Sequence, residues 1–247
     1  MKPELLAEVG TKPLGTPVSG VQIWLAHLES LSAAQLKTLG AVLDPAEHAR
    51  AARFHFEADR EHYIAARGLL RQLLSARLDT PASALVIEYG AHGKPAIAVG
   101  TNTRTLFFNL SHSAGWAMFA LAWDREVGID LESGIRLNRD KNDLSGLAAS
   151  ILSARELAIW RALPNPTARR AAFLRAWTRK EAFAKAMGRG LLDELRRFEL
   201  VLDAAEPNPS LTLHLPSCGS PRGAWHLHDL SAPDGFAAAL AIEQKIL

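Results

Sequence analysis

The sequence predicts an α+β fold arranged as two lobes. Two stretches of helical periodicity stand far apart in the chain, and short runs around each read as hairpin-compatible strands. The length of 247 residues falls between one and two domains at roughly 150 residues each. A similar order of elements occurs on both sides of Asp124-Arg125 without any repeat of sequence, which places an N-terminal lobe at 21–124 and a C-terminal lobe at 125–247.

Residues 1–20 carry Gly10, Pro13, Gly15, Pro17 and Gly20 and read as a flexible lead-in. Residues 21–25 form the first strand. Asp44-Pro45-Ala46-Glu47 starts a helix: the Asp44 carboxylate accepts from a free backbone N–H, Pro45 loses nothing at the first helical position, and Glu47 completes a capping box. Residues 58–78 continue as a long helix with Tyr63, Leu69, Leu70, Leu73 and Leu74 on its apolar side. Strands follow at 85–89, 107–110 and 116–123, the last of them buried. The second half opens with a strand at 127–132. Ser153-Ala154-Arg155-Glu156 is a second capping box, and Thr167 is expected to cap a helix over 168–187 that Gly188 ends. The remaining strands are expected at 198–202, 211–215, 225–230 and 237–242.

Composition narrows the function classes. Hydrophobic residues at 48% and charged residues at 22% are globular values. A net charge of +2 without a concentrated basic stripe argues against a nucleic-acid partner. No run approaches the roughly 18 apolar residues of a membrane span, and no apolar segment follows Met1-Lys2-Pro3-Glu4 as a signal peptide requires. The single cysteine, Cys218, cannot form an internal disulfide, which fits a reducing compartment; the expectation is a cytoplasmic protein.

The chemistry concentrates in two places. Gly128-Ile129-Asp130-Leu131-Glu132 puts carboxylates at i and i+2, on one face of a strand, with Ile129 and Leu131 on the other. Like charges so close repel unless a cation lies between them, and magnesium, a hard ion held by one or two carboxylates plus phosphate oxygens, suits the pair. A wet polar face on an amphipathic strand is the simpler alternative. On the later helix, at about 100° per residue, Glu181 falls inside the apolar arc of Phe173, Trp177, Ala184 and Met187. An unpaired carboxylate there is costly to bury. Lys185 lies one turn on, and an ordinary Glu181–Lys185 i,i+4 pair is the alternative. Lys180 projects into the same arc with no partner evident.

These two segments together, the second reading Trp177-Thr178-Arg179-Lys180-Glu181-Ala182-Phe183-Ala184-Lys185, resemble the paired signature of the 4′-phosphopantetheinyl transferases, in the stand-alone, two-lobed Sfp-type class. Gly188-Arg189-Gly190-Leu191 after the helix is similar as well. Upstream, Arg53-Phe54, Asp59-Arg60, Arg67 and Leu70-Arg71 resemble the family's basic helices, Gly93-Lys94-Pro95 its adenine-side loop, and Phe108-Asn109-Leu110-Ser111-His112-Ser113 its Ser-His block. The resemblance implies two similar α+β lobes related by a pseudo-twofold axis, with the active site in the cleft between them. It implies transfer of the 4′-phosphopantetheine arm of coenzyme A to a serine of an acyl, polyketide or peptidyl carrier protein, releasing adenosine 3′,5′-bisphosphate.

Carried onto this chain, the resemblance gives Asp130, Glu132 and Glu181 as magnesium ligands. Glu181, or a water it orients, receives the serine proton, and Lys185 neutralises the scissile phosphate. Coenzyme A is expected to meet Arg50, Arg53, Lys94, Pro95, Ser111, His112 and Lys185. Glu47 stands where related enzymes often carry lysine, which suggests a less basic 3′-phosphate pocket. Trp177 is read as packing. Carrier helices are generally acidic, so Arg189, Arg196 and Arg197 are candidates for a docking patch, and a two-lobed chain that supplies both sides of its cleft is expected to be a monomer.

Other chemistries fit less well. Gly93-Lys94 is not a phosphate-binding loop, because Glu88 stands where glycine is required and Pro95 where Ser or Thr should be. A zinc set from His226, His228 and either His214 or Cys218 lacks a recognised spacing. There is no Gly-x-Ser-x-Gly elbow and no Asp-Ser-Leu acceptor of a carrier protein. Two alternatives to the transferase are a magnesium-dependent coenzyme A phosphohydrolase and a non-catalytic coenzyme A-binding module that docks carriers. Retention of Asp130, Glu132, Glu181 and Lys185 together speaks against the last.

Overall fold

Capping chemistry starts most of the helices. A computed structural model describes residues 11–16, 18–90, 92–98, 104–135, 144–188, 199–200, 211–214 and 224–244. In chain order its elements are β1 (Thr11–Leu14), β2 (Val21–His27), α1 (Ala33–Gly40), α2 (Pro45–Ala51), α3 (Glu57–Leu78), β3 (Ile87–Tyr89), β4 (Pro95–Ile97), β5 (Leu106–Ser113), β6 (Trp116–Trp123) and β7 (Val127–Ser133). These are followed by α4 (Leu144–Ile151), α5 (Ala154–Arg161), α6 (Pro166–Met187), β8 (Leu211–His214), β9 (Ala224–Leu230) and β10 (Phe236–Glu243). Reciprocal capping boxes open α1 at Ser32 and Gln35, α2 at Asp44 and Glu47, and α5 at Ser153 and Glu156.

The strands form two antiparallel four-stranded sheets, β1-β2-β6-β5 and β7-β10-β9-β8, and a short β3-β4 ribbon. Alternation along each strand divides the apolar residues between two sides. In the first sheet Trp24, Ala26, Phe108 and Phe119 pack against Leu69, Leu70 and Leu73 of α3. In the second, Trp225, Leu227, Ala239 and Ala241 pack against Phe173, Ala176 and Phe183 of α6. The other faces meet in a shared core that includes Ile23, Met118, Ala120, Ile129, Leu131 and Leu240. The result is a helix-sheet-sheet-helix stack, in keeping with the α+β expectation.

Two expectations are corrected. Part of the lead-in is not loose: Thr11–Leu14 pairs antiparallel with β2, from Thr11 opposite Ala26 to Leu14 opposite Ile23. Pro13 is accommodated because β1 is an edge strand. The last long helix is capped by Asn165, not Thr167; Asn165 accepts from the Ala168 N–H at 2.8 Å, and Pro166 takes the first helical position. Of the strand expected at 198–202, only 199–200 lie within the described residues, and neither is in a strand.

One contact fixes β7 against α6. A Cβ on Gly128 would stand 2.1 Å from the Ala182 carbonyl oxygen and 2.4 Å from the Ala186 nitrogen. Only a residue without a side chain lets the strand lie directly on the helix backbone here.

Candidate active site

The polar face of β7 is turned toward α6. Val127, Ile129 and Leu131 enter the sheet-sheet core, so Asp130 and Glu132, on the opposite face, point at the helix that carries Glu181 and Lys185. On β10 the residues opposite the two acids are Ala239 and Ala237, small enough to leave room for the helix. The strand and the helix, far apart in sequence, thus bring their ionisable groups to one place.

The contacts are specific. The Lys185 ammonium donates to Asp130 Oδ1 at 2.6 Å and to Ser111 Oγ at 2.9 Å. Ser111 Oγ in turn donates to Asp130 Oδ1 at 2.8 Å. Asp130 is 2% exposed, whereas the Lys185 side chain is 30% exposed, so the cation lies at the rim and the acid at the base. Glu132 accepts a bond from Ser113 Oγ at 3.3 Å and a longer one from the Trp177 indole N–H at 3.4 Å. Trp177 therefore does more than pack. Its ring lies beside Phe173, and its one polar atom faces the site.

Burial raises the Glu132 carboxyl above the ordinary carboxylate value and the negative charge of Asp130 raises it further, while the bonds from Trp177 and Ser113 and the Lys185 charge oppose this. Glu181 is raised by burial and by Asp130, with Lys185 acting against them and Glu132 adding to the rise. Three carboxylates thus feel one another's charge. The second oxygen of Asp130, Oδ2, is buried and has no hydrogen-bond partner among the described residues. No three His, Cys, Asp or Glu side chains among the described residues are drawn up as a preformed metal cage. The orphaned oxygen and the repulsion that Lys185 only partly offsets are nevertheless what a hard divalent cation among Asp130, Glu132 and Glu181 would satisfy.

The remaining predicted residues lie in other settings. His112 is exposed and, by strand alternation, lies on the opposite face of β5 from Ser111. Arg50 is exposed at the end of α2, with its guanidinium 5.6 Å from the centre of the Tyr63 ring, and Arg53 is exposed in the turn that follows. The Lys94 ammonium is bound to Glu126 Oε2 at 2.5 Å and to the Ala186 carbonyl at 2.6 Å, tying the β3-β4 ribbon to β7 and to the end of α6. Burial lowers the Lys94 pKa, and Glu126 opposes that. Lys94 and Pro95 line a cavity of about 350 Å³ with Phe107, Glu126 and Gly188.

Glu47 is turned into the protein. It is 3% exposed and accepts from Arg67 Nε at 2.8 Å and Arg71 Nε at 2.5 Å, so its charge is neutralised inside the protein. Lys180 also gains a partner. It is fully buried, 2.8 Å from Glu156 Oε2, the carboxylate that closes the α5 capping box. Ser113, the last residue of the Ser-His block, is a site residue that the resemblance does not assign; strand alternation places it on the same face as Ser111. Arg189, Arg196 and Arg197 lie outside the described residues.

Comparison with known proteins agrees with this arrangement. Residues 126–241 match the family described as 4′-phosphopantetheinyl transferase superfamily, and residues 30–123 match 4′-phosphopantetheinyl transferase, N-terminal. The chain is 35% identical over 222 residues to the 4′-phosphopantetheinyl transferase HetI of Nostoc sp. (strain PCC 7120), spanning 90% of this chain and 87% of that protein. It is 36% identical over 167 residues to the 4′-phosphopantetheinyl transferase AcpT of Salmonella typhi, spanning 68% and 74%. It is 30% identical over 160 residues to the L-aminoadipate-semialdehyde dehydrogenase-phosphopantetheinyl transferase of Xenopus laevis, spanning 64% and 53%. With strand acids, helix acid and lysine all inside the stretch that the superfamily model matches, the chain belongs to the 4′-phosphopantetheinyl transferase family of enzymes.

Proposed function

We propose that the protein transfers the 4′-phosphopantetheine arm of coenzyme A to a serine hydroxyl of a carrier protein, with Asp130, Glu132 and Glu181 as magnesium ligands. The observation that carries this reading is that Asp130, Glu132, Glu181 and Lys185 act on one another's charge while Asp130 Oδ2 has no hydrogen-bond partner among the described residues. Magnesium, when bound, supplies positive charge that polarises the phosphoryl group under attack. The protein's own groups do the rest. Lys185, held by Asp130 and Ser111 with its end toward solvent, offers a fixed cation to the pyrophosphate and to charge building on the leaving oxygen. Glu181, whose affinity for a proton burial and its neighbours increase, receives the serine proton directly or through a water it orients. The serine oxygen bonds to phosphorus as the bond to adenosine 3′,5′-bisphosphate breaks.

The finer architecture belongs to the same reading. One helix packs on one sheet in each of 21–124 and 125–247, which supports two lobes related by a pseudo-twofold axis with coenzyme A in the cleft between them. Arg50, Arg53, Lys94, Pro95, Ser111 and His112 form its binding set. A groove of about 450 Å³, lined in part by Ile135, Leu174, Phe236, Arg170 and Arg175, begins two residues after Glu132. The side chains of Arg170 and Arg175 make no ion pair or hydrogen bond among the described residues, which suits an acidic carrier helix. A chain containing both lobes acts as a monomer in the cytoplasm. No helix among the described residues is long and apolar enough to cross a membrane.

One assay tests the reading: incubate the protein with coenzyme A, magnesium and an apo-carrier, and weigh the carrier. A gain of one phosphopantetheine group is expected. Free phosphopantetheine with an unchanged carrier would instead mark a hydrolase, and no reaction a docking module.

A further inference from the structure

Strand β7 is laddered to β10 along one edge only, and no backbone ladder joins its other edge to β5. Side chains of β5 take the place of that ladder. Asn109 Oδ1 accepts from the Ile129 N–H at 2.9 Å, and Ser113 Oγ accepts from the Ser133 N–H at 3.2 Å. Between them Ser111 donates to Asp130. Partners along this seam are separated by 20, 19 and 20 residues, so the two strands run side by side in the same direction. Asn109, Ser111 and Ser113 are all buried.

A buried N–H needs an acceptor, and here the reach of a side chain determines how far the acid-bearing strand stands from its neighbour. Phe107 and Glu126, beyond the Asn109 end of the seam, line the 350 Å³ cavity. Ser113 uses both functions of its hydroxyl. The lone pair receives the Ser133 amide, and the proton goes to Glu132 Oε2.

We propose that Asn109 and Ser113 are positioning residues that clasp the acidic stretch of β7 at its two ends, with Ser113 also aiming the Glu132 carboxylate. The inference rests on the reading of Asp130, Glu132 and Glu181 as cation ligands; neither clasp residue is itself a ligand. A hydrogen bond that orients a ligand is typically worth 10–100-fold in metal affinity.

The test uses Mn²⁺ binding to the full chain, measured by electron paramagnetic resonance, beside kcat, the KM for coenzyme A and circular dichroism. Wild type should bind Mn²⁺ and Asp130→Ala should not; a wild type without affinity overturns the ligand reading and the clasp with it. Given wild-type binding, folded Ser113→Ala should bind Mn²⁺ about tenfold more weakly and lose kcat to match, with the KM for coenzyme A unchanged. Asn109→Ala should follow in the same direction. Ser113→Thr, which keeps the hydroxyl, should recover most of the loss. If Ser113→Ala does not fold, Ser113→Cys, similar in shape and a weak hydrogen-bonder, replaces it. Native Mn²⁺ affinity in the folded alanine or cysteine variant, or an equal defect in Ser113→Thr, overturns the clasp alone.

Discussion

At the scale of single residues, the site stores unfavourable charge. In the folded protein burial and the neighbouring acids hold the Glu132 and Glu181 carboxyls above the ordinary value of 4.5. Between 4.5 and those raised values the folded state therefore binds more protons than the unfolded chain. Stability from these groups is full below that window and falls as pH rises through it. In thermal melts with chelator present, wild type should lose melting temperature upward from pH 4.5 faster than Glu181→Gln does. Magnesium should return more of it at the upper end than at the lower. Parallel curves would show that Glu181 does not share the field of Asp130 and Glu132. The i, i+2 acids were legible in the sequence because a strand's period of two has no competing interpretation once Ile129 and Leu131 claim the other face. The partners of Lys94 and Glu47 were not, because Glu126, Arg67 and Arg71 reach them only through tertiary packing.

At the scale of elements, α6 carries Glu181 and Lys185, the proposed catalytic groups, and is anchored beside them. Lys180, next to Glu181, is paired with Glu156, whose other oxygen accepts the Leu200 N–H at 2.6 Å. Removing one partner leaves a buried charge uncompensated. Lys180→Met should therefore cost about 3–5 kcal/mol of unfolding free energy, read from denaturant titration, whereas exposed Arg170→Met should change little. A loss below about 1 kcal/mol in Lys180→Met would mean that Glu156 is satisfied without the lysine. The capping boxes at Asp44 and Ser153 could be read in advance because all their parts lie within four residues. The box at Ser32 and Gln35 carries the same signal. Strand β1 was hidden by its Gly and Pro neighbours, since its reason to be extended lies in the free edge of β2.

For the whole molecule, two sheets back to back bring together segments that each half supplies separately, and the groove lined by Gly134, Leu174 and Phe236 lies on the C-terminal side of that junction. If Arg170 and Arg175 receive an acidic carrier, Arg170→Glu with Arg175→Glu should raise the KM for the carrier about tenfold or more, leaving the KM for coenzyme A and the fold intact. Steady-state kinetics with each substrate varied in turn decides this, and an unchanged carrier KM would place docking elsewhere. The α+β class and the division of helices between sheets were legible because hydrophobic period reports which side of an element is covered. The seam between β5 and β7 was not, because it joins strands through side chains and follows no local pattern. Gly128 adds a mechanical consequence. By letting strand and helix touch backbone to backbone, it makes Asp130, Glu181 and Lys185 passengers on one solid block, so that motion elsewhere in the enzyme leaves the spacing of those charges undisturbed.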